Sequence, residues 1–164
     1  MAPHIGSHGS DQPPRKYARP TGRAAAVRAR GVAPRALAHC EVPCGIYADQ
    51  MRFEGMLEDQ TTIKKAMGEI ANLAGKGDAQ SANQLARWVV TKEDHATNTQ
   101  HVIAQYFMTQ RIKADDPAYV DKLTKAHAVM VTAMQCKQTA DPARADALRA
   151  AILAFHEAYE GKGK

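Results

Sequence analysis

Residues 39–47 read HCEVPCGIY, and they divide the chain into two parts of different character. Before them lies a basic, proline-rich segment, and after them apolar residues recur at helical spacing. The nine residues hold one imidazole, two of the chain's three cysteine thiols, a proline and a glycine. Nitrogen and thiolate donors gathered in so short a segment are candidate ligands for a transition metal.

Residues 1–38 form a basic leader that we expect to be removed. They carry seven Arg or Lys side chains against one Asp, whereas residues 39–164 carry 15 basic and 16 acidic side chains. The positive charge thus belongs to the leader, and we expect no nucleic-acid partner from it. Five of the eight prolines also lie there. A segment of this composition buries too little apolar surface to offset its ordering entropy, so we expect it to be disordered.

The leader leaves two assignments of compartment open. It has no continuous apolar stretch of secretory type, because Arg28 interrupts the short apolar run before it. It is rich in arginine and poor in acids, which suits an organellar transit peptide, although a pro-peptide of a cytoplasmic protein explains it equally well. The chain has no run of 18 apolar residues, so we expect no membrane span.

The spacing of apolar residues predicts four helices after residue 48. The first covers residues 49–74 and ends at a C-cap glycine, Gly75; Asp78 is the N-cap of the second, over residues 79–112. The third begins at Asp116-Pro117 and the fourth at Asp141-Pro142, with aspartate at the N-cap and proline in the first turn. The apolar residues that these helices carry are Phe53, Met56, Leu57, Ile63, Met67, Ile70, Ala74, Leu85, Trp88, Val89, Val102, Ile103, Tyr106, Phe107, Val120, Leu123, His127, Met130, Val131, Met134, Leu148, Ile152, Phe155 and Tyr159.

The connections between these helices are short, which forces neighbouring helices to run antiparallel. The sequence therefore predicts an all-α fold, an antiparallel up-down-up-down four-helix bundle over residues 49–164. An N-terminal metal-binding hook at residues 39–48 and the disordered leader at residues 1–38 precede it. No strand signal competes with this interpretation.

The two hook cysteines have other possible uses. Cys40 and Cys44 are compatible with a disulfide or with half of a zinc site. A structural zinc site needs four side-chain ligands at recurrent spacings, and residues 39–164 offer no second C-x-x-C or H-x-x-x-H pair. The third cysteine, Cys136, lies on the third predicted helix, and we expect it to be an ordinary helical cysteine.

The pattern H-C-x-x-P-C-G-x-Y at residues 39–47 resembles the nickel hook of the nickel-containing superoxide dismutases at all six fixed positions. Further similarity lies in residues 51–54, in residues 87–93 and in the aromatic pair Tyr106-Phe107. The resemblance spans about residues 39 to 160. It implies an oxidoreductase that converts two superoxide ions and two protons to dioxygen and hydrogen peroxide by Ni(II)/Ni(III) cycling. The alternative is a non-enzymatic metal-binding helical bundle, since fold does not fix function.

The same resemblance implies the catalytic residues His39, Cys40, Cys44 and Tyr47. The two thiolates, the N-terminal amine of His39 and the backbone amide nitrogen of Cys40 would surround a nickel ion in one plane, with the His39 imidazole as axial ligand. Tyr47 would screen the open face. Glu54 would orient His39 by hydrogen bonding.

His95 stands where the family has an arginine that helps to hold the hook histidine, so it is a candidate for that role. The implied N-terminus also requires a processing protease that cleaves the bond between Ala38 and His39, which small residues precede. The family assembles as a hexamer, so the resemblance further implies a homo-oligomer.

Overall fold

The computed structural model describes residues 49–161. The leader at residues 1–38 and the hook at residues 39–48 lie outside the described residues. The expectations for the leader, for the Ala38–His39 bond and for the hook residues Cys40, Cys44 and Tyr47 therefore stay predictions.

Four α-helices make up the described part of the chain, which contains no strand. They are α1 (Gln50–Leu73), α2 (Ala79–His101), α3 (Tyr119–Lys137) and α4 (Pro142–Glu160), and a π-helical segment (Val102–Arg111) extends α2. Each helix contacts the next, and α1 also contacts α4, which closes the bundle. The predicted all-α up-down-up-down bundle is confirmed.

This topology gives the bundle two distinct ends. The start of α1, the end of the π-helical segment, the start of α3 and the end of α4 form the end that joins residue 48, which we call the hook end. The opposite end is formed by the end of α1, the start of α2, the end of α3 and the start of α4.

The aspartates predicted to begin α2 and α4 do cap them. Asp78 Oδ1 accepts a hydrogen bond from the Ser81 backbone N–H at 2.9 Å, and Asp141 Oδ1 accepts one from the Ala143 backbone N–H at 3.0 Å. Each bond satisfies a donor that the first turn of a helix leaves without a partner. Gly75 follows the last turn of α1 with φ of 82°, a conformation that glycine adopts without a steric penalty.

The predicted start of the third helix was wrong by two residues. Asp116 Oδ1 accepts a hydrogen bond from the Ala118 N–H at 2.8 Å, and the Tyr119 N–H donates to the Asp116 carbonyl at 2.9 Å. These bonds close a turn before the helix, and the backbone N–H of Lys122 donates to the Ala118 carbonyl at 2.9 Å, so that Ala118 rather than Asp116 precedes the first helical turn. The helix itself begins at Tyr119.

The second predicted helix, over residues 79–112, changes its winding at Val102. In the following segment the Ile112 N–H donates to the Phe107 carbonyl at 2.9 Å, which is an i→i−5 bond. The Thr109 hydroxyl likewise donates to the carbonyl five residues before it, at Ala104. Apolar spacing does not distinguish such a segment from an α-helix, so the sequence did not indicate it.

The core is built largely from the predicted apolar residues. Those that are almost fully buried are Phe53, Met56, Ile63, Met67, Ile103, Tyr106, Phe107, Leu148, Ile152 and Phe155. Five residues expected on apolar faces are instead exposed: Ala74 at the end of α1, and Val89, Val120, His127 and Met134 on α2 and α3. On α2 and α3, small or polar side chains face the core instead. The prediction gave more weight to the larger apolar residues of these helices. These inward residues are Lys92, Ala96, Thr99, Ala126, Ala133 and Cys136.

Candidate metal centre and its surroundings

Asp49, the first described residue, lies where the hook joins the bundle and accepts four hydrogen bonds. Its Oδ1 accepts from the Tyr106 hydroxyl at 2.5 Å. Its Oδ2 accepts from Arg111 Nε at 3.1 Å, from Arg111 Nη2 at 2.6 Å and from the Tyr159 hydroxyl at 2.7 Å. We call these four residues the Asp49 cluster. Its members come from the start of α1, the π-helical segment and α4.

The charges within the Asp49 cluster are matched. Burial raises the pKa of Asp49, but the hydrogen bonds from Tyr106, Arg111 and Tyr159 outweigh it, and the pKa lies below its usual value. Burial, and then the hydrogen bond to Asp49, raises the pKa of Tyr159 to about 12. At neutral pH the cluster therefore holds one carboxylate, one guanidinium and two neutral phenols that donate to the carboxylate.

Aromatic rings surround this cluster at the hook end. The His156 imidazole stacks on Phe53 with ring centroids 4.1 Å apart, and Phe107 lies 4.8 Å from the same ring. The Arg52 guanidinium lies 4.7 Å from the centroid of Tyr106, within the range of a cation–π contact. His156 Nε2 also lies 3.0 Å from Glu160 Oε1, without hydrogen-bond alignment.

Glu54, predicted to orient His39, lies on α1 near the hook end. Its side chain is exposed, and it accepts a hydrogen bond from Gln50 Nε2 at 3.1 Å, one turn earlier on the same helix. No other helix holds this carboxylate among the described residues. It is therefore open to a partner from outside residues 49–161.

His95, the second residue predicted to support the hook, pairs with a residue that the sequence did not indicate. His95 Nδ1 lies 2.7 Å from Asp59 Oδ1, and Asp59 is 5% exposed. Asp59 Oδ2 accepts further hydrogen bonds from Asn98 Nδ2 at 2.7 Å and from the Thr99 hydroxyl at 3.3 Å. Nδ1 is thus the ring nitrogen of His95 that meets the Asp59 carboxyl group.

The structure does not bring Glu54 and His95 together. Glu54 bonds to its own helix, while His95 bonds to Asp59, which lies five residues further along α1. Sequence analysis missed Asp59 because it lies between apolar positions of a helix, where an aspartate is read as solvent-exposed. It missed Asp49 because an aspartate just before a helix indicates an N-cap.

Cys136, the cysteine outside the hook, is buried in α3. Burial raises the pKa of its thiol to about 11, although Lys92 and Arg144 oppose the shift. The thiol is therefore protonated at neutral pH and is a poor ligand. Within residues 49–161, no three His, Cys, Asp or Glu side chains are grouped so as to hold a metal ion, and no helix there is long and apolar enough to cross a membrane.

These observations describe a helical bundle preceded by a segment with one histidine and two cysteines, which is the arrangement of a metalloprotein. The family model of nickel-containing superoxide dismutase matches residues 34–162. The chain therefore belongs to the nickel-containing superoxide dismutases, as the hook sequence predicted. It is an oxidoreductase with a nickel cofactor and superoxide as substrate. Comparison with curated proteins and with solved structures gives no match.

Proposed function

We propose that the hook holds the nickel ion of this superoxide dismutase through the thiolates of Cys40 and Cys44, with the amine and imidazole of His39 and the amide nitrogen of Cys40. The observation that carries the assignment is the burial of Cys136, the remaining cysteine of the chain, whose pKa of about 11 keeps it protonated. Two thiolates and nitrogen donors suit nickel in a planar arrangement.

The chemistry follows from this donor set. A bound nickel ion supplies a one-electron couple, so that one superoxide is oxidised to dioxygen and a second, with two protons, is reduced to hydrogen peroxide. The thiolates donate enough charge to stabilise the higher oxidation state, which neutral oxygen ligands do not. Tyr47 would screen the bound metal, so that water and larger anions would reach it less readily.

Glu54 and His95 support the hook histidine in this proposal. Glu54 is exposed, and its bonding partner among the described residues is one glutamine of its own helix, so its carboxylate is available to accept from His39. His95 is oriented by Asp59, which contacts its Nδ1 at 2.7 Å, and its Nε2 is the ring nitrogen that we assign to the hook. Partners of this kind typically change metal affinity or activity by about 10–100-fold when removed.

Removal of the leader creates the site. In the uncut chain the nitrogen of His39 is an amide, which is a far poorer donor than a free amine of pKa about 8. Cleavage of the Ala38–His39 bond by a processing protease therefore supplies a missing ligand. Small side chains before that bond suit such a protease.

This proposal is tested with three forms of the chain: uncut, cleaved to begin at His39, and cleaved one residue early to begin at Ala38. We expect all three to give the circular dichroism spectrum of a helical bundle. Only the form that begins at His39 should show, after addition of nickel(II), the electron paramagnetic resonance signal of nickel(III) and superoxide consumption. Full activity in verified uncut protein would contradict the amine ligand.

The enzyme is proposed to work as a homohexamer in the cytoplasm, with an organelle as the alternative location if the leader is a transit peptide. Apolar side chains exposed on α1, α2 and α3 support the assembly, among them Met51, Val90 and Val120, which are 56%, 57% and 73% exposed. Size-exclusion chromatography with light scattering gives the mass of the assembly, and the mass of a single chain would contradict the hexamer. Fractionation of the source cells gives the compartment.

A further inference from the structure

Asp49 gives up the usual role of an aspartate at the start of a helix. It precedes α1 at the N-cap, but its side chain makes no hydrogen bond to the first turn of that helix. The carboxylate instead reaches Tyr106, Arg111 and Tyr159 on other parts of the bundle. A capping bond is normally available at this place, so the cross-bundle bonds are formed at its expense.

The partners of Asp49 are themselves held firmly. Tyr106 is 1% exposed, and the Phe107 ring meets both Tyr106 and Tyr159 edge-on, with centroids 5.3 and 5.1 Å away. The Arg111 guanidinium lies 5.9 Å from the centroid of the Tyr106 ring. Two of the three partners of Asp49 thus belong to the core or pack against it, namely Tyr106 and Tyr159, while the side chain of Arg111 is 35% exposed.

The π-helical winding is what allows one carboxylate to reach both Tyr106 and Arg111. These residues are five apart, and on an α-helix, at ~100° per residue, their side chains would point ~140° away from each other. A helix with i→i+5 bonding brings residues five apart nearly above one another. The rare winding of Val102–Arg111 thus presents both donors to Asp49.

The position of Asp49 in the chain gives these contacts a function. Asp49 follows the hook directly, and four residues lie between it and Cys44, so that the two Cα atoms are at most about 18 Å apart when the chain is fully extended. A metal site whose ligands all lie on one short segment is held only as well as that segment is anchored. None of the four α-helices and no residue of the π-helical segment supplies a ligand in the proposed set.

We propose that Asp49 is a positioning residue for the nickel site, and that the Asp49 cluster fixes the base of the hook to the bundle core. The inference rests on the proposed ligand set of the hook. The Asp49 cluster acts by limiting the motion of the chain between Asp49 and Cys44, which slows the loss of nickel from its ligands. It does not touch the metal or the substrate.

The test is the rate at which nickel-loaded protein loses its metal to excess EDTA, followed as nickel retained after desalting. We expect Asp49→Asn, which keeps the shape but removes the charge, to release nickel roughly tenfold faster than wild type, the lower range of effects of residues around a metal site. Tyr159→Phe, which removes one donor hydroxyl, should accelerate release a few-fold (~3-fold) by the same reasoning.

The matched control is Lys92→Met, which removes buried hydrogen bonds at the opposite end of the bundle. It should lower the melting temperature and leave the release rate unchanged. Equal acceleration by Lys92→Met would overturn the proposal, since release would then follow overall stability. Wild-type rates in both Asp49→Asn and Tyr159→Phe would also overturn it, and if Asp49→Asn does not fold, Tyr159→Phe decides.

A further variant separates this proposal from the proposed ligand set. Cys44→Ser should retain no tightly bound nickel under the same conditions. If it retains nickel, the ligand set is wrong. If Cys44→Ser loses nickel but the Asp49 cluster variants behave as wild type, only the positioning role of Asp49 fails.

Discussion

At the hook end of the bundle the Asp49 carboxylate accepts hydrogen bonds from side chains, whereas at the opposite end the Lys92 ammonium donates mainly to backbone carbonyls. Asp49 binds two phenols and a guanidinium. Lys92, 4% exposed, donates to the Cys136 carbonyl at 2.9 Å, to the Lys137 carbonyl at 2.7 Å and to Glu93 Oε1 at 2.8 Å. Both groups are charged and largely buried, but all the partners of the Asp49 carboxylate are side chains, whereas two of the three partners of Lys92 are carbonyls at the end of α3.

The different partners indicate different roles: Lys92 stabilises a helix end, whereas Asp49 positions the segment that precedes the bundle. Lys92 satisfies the last carbonyls of α3, where a cation also interacts favourably with the helix dipole, and its remaining partner is the neighbouring Glu93 on its own helix. The side chain of Asp49 does not cap its own helix. It joins three parts of the chain at the point where the hook ends and the bundle begins. At the opposite end, the contacts satisfy the carbonyls that a helix terminus leaves without donors. At the hook end, the contacts converge on Asp49, the residue that follows the hook.

The largest effect should come from replacing a cysteine of the hook, in comparison with the buried cysteine of α3. We expect Cys44→Ser to abolish superoxide dismutation and the nickel(III) signal, because a neutral hydroxyl does not replace thiolate donation. Cys40→Ser should behave in the same way. Cys136→Ser is the control and should keep both, since its thiol is protonated. A folded but inactive Cys136→Ser would show that the ligand assignment is wrong.

The next effect concerns the exposed carboxylates of α1. We expect Glu54→Ala to lower the catalytic rate by about 10–100-fold, as loss of a group that orients a metal ligand typically does. Glu58→Ala, one turn further from the hook end and also exposed, is the matched control and should leave the rate within about twofold, since surface changes have small effects. Pulse radiolysis measures both rates. Equal rates in the two variants would remove Glu54 from the site.

At the opposite end, Lys92→Met should reduce stability without changing catalysis. The substitution leaves the carbonyls of Cys136 and Lys137 without their donor, and a buried group left in this state costs about 1–3 kcal/mol. The midpoint of urea unfolding, followed by circular dichroism, should fall by a corresponding amount. An unchanged midpoint would mean that water replaces the ammonium and that the end of α3 is more open than the structure shows.

Asp49→Asn should lower stability by about 1–2 kcal/mol at pH 7 through loss of charged hydrogen bonds, and the loss should depend on pH. The folded pKa of Asp49 lies below its usual value of 3.8, so its contribution is complete above about pH 4 and disappears as the pH falls through the lowered pKa. The unfolding free energies of wild type and variant, measured without nickel, should therefore converge below pH 4. A constant difference from pH 7 to pH 2 would contradict this account.

The smallest effect should come from an exposed pair on the bundle surface. Lys64 Nζ lies 2.7 Å from Asp146 Oδ1, and both side chains are about half exposed. Solvent and salt screen such pairs, which contribute about 0–1 kcal/mol. Asp146→Asn should shift the urea midpoint by less than Lys92→Met does, and a larger shift would indicate that this pair is better shielded than its exposure suggests.

Much of the fold followed from local signals in the sequence. The caps at Asp78 and Asp141 and the glycine after α1 were predicted because capping depends on residues within one turn. The predicted start of α3 was wrong because the Asp116 carboxylate accepts a hydrogen bond within a turn before the helix. An aspartate in such a turn and an aspartate at an N-cap have the same local sequence. The exposed Val120 shows a different limit, since small residues on α3 face the core and leave the larger ones outside.

The sequence by itself determined the family, the metal and the helical bundle. The proposed donors His39, Cys40 and Cys44 lie within six residues of one another, and helical periodicity repeats within a few residues, so neither pattern depends on distant contacts. The tertiary structure alone decided that Asp49 meets Arg111 and Tyr159, 62 and 110 residues away along the chain. It also decided that His95 pairs with Asp59. Such contacts depend on the rotation and register of packed helices, which arise from the whole core rather than from any local pattern.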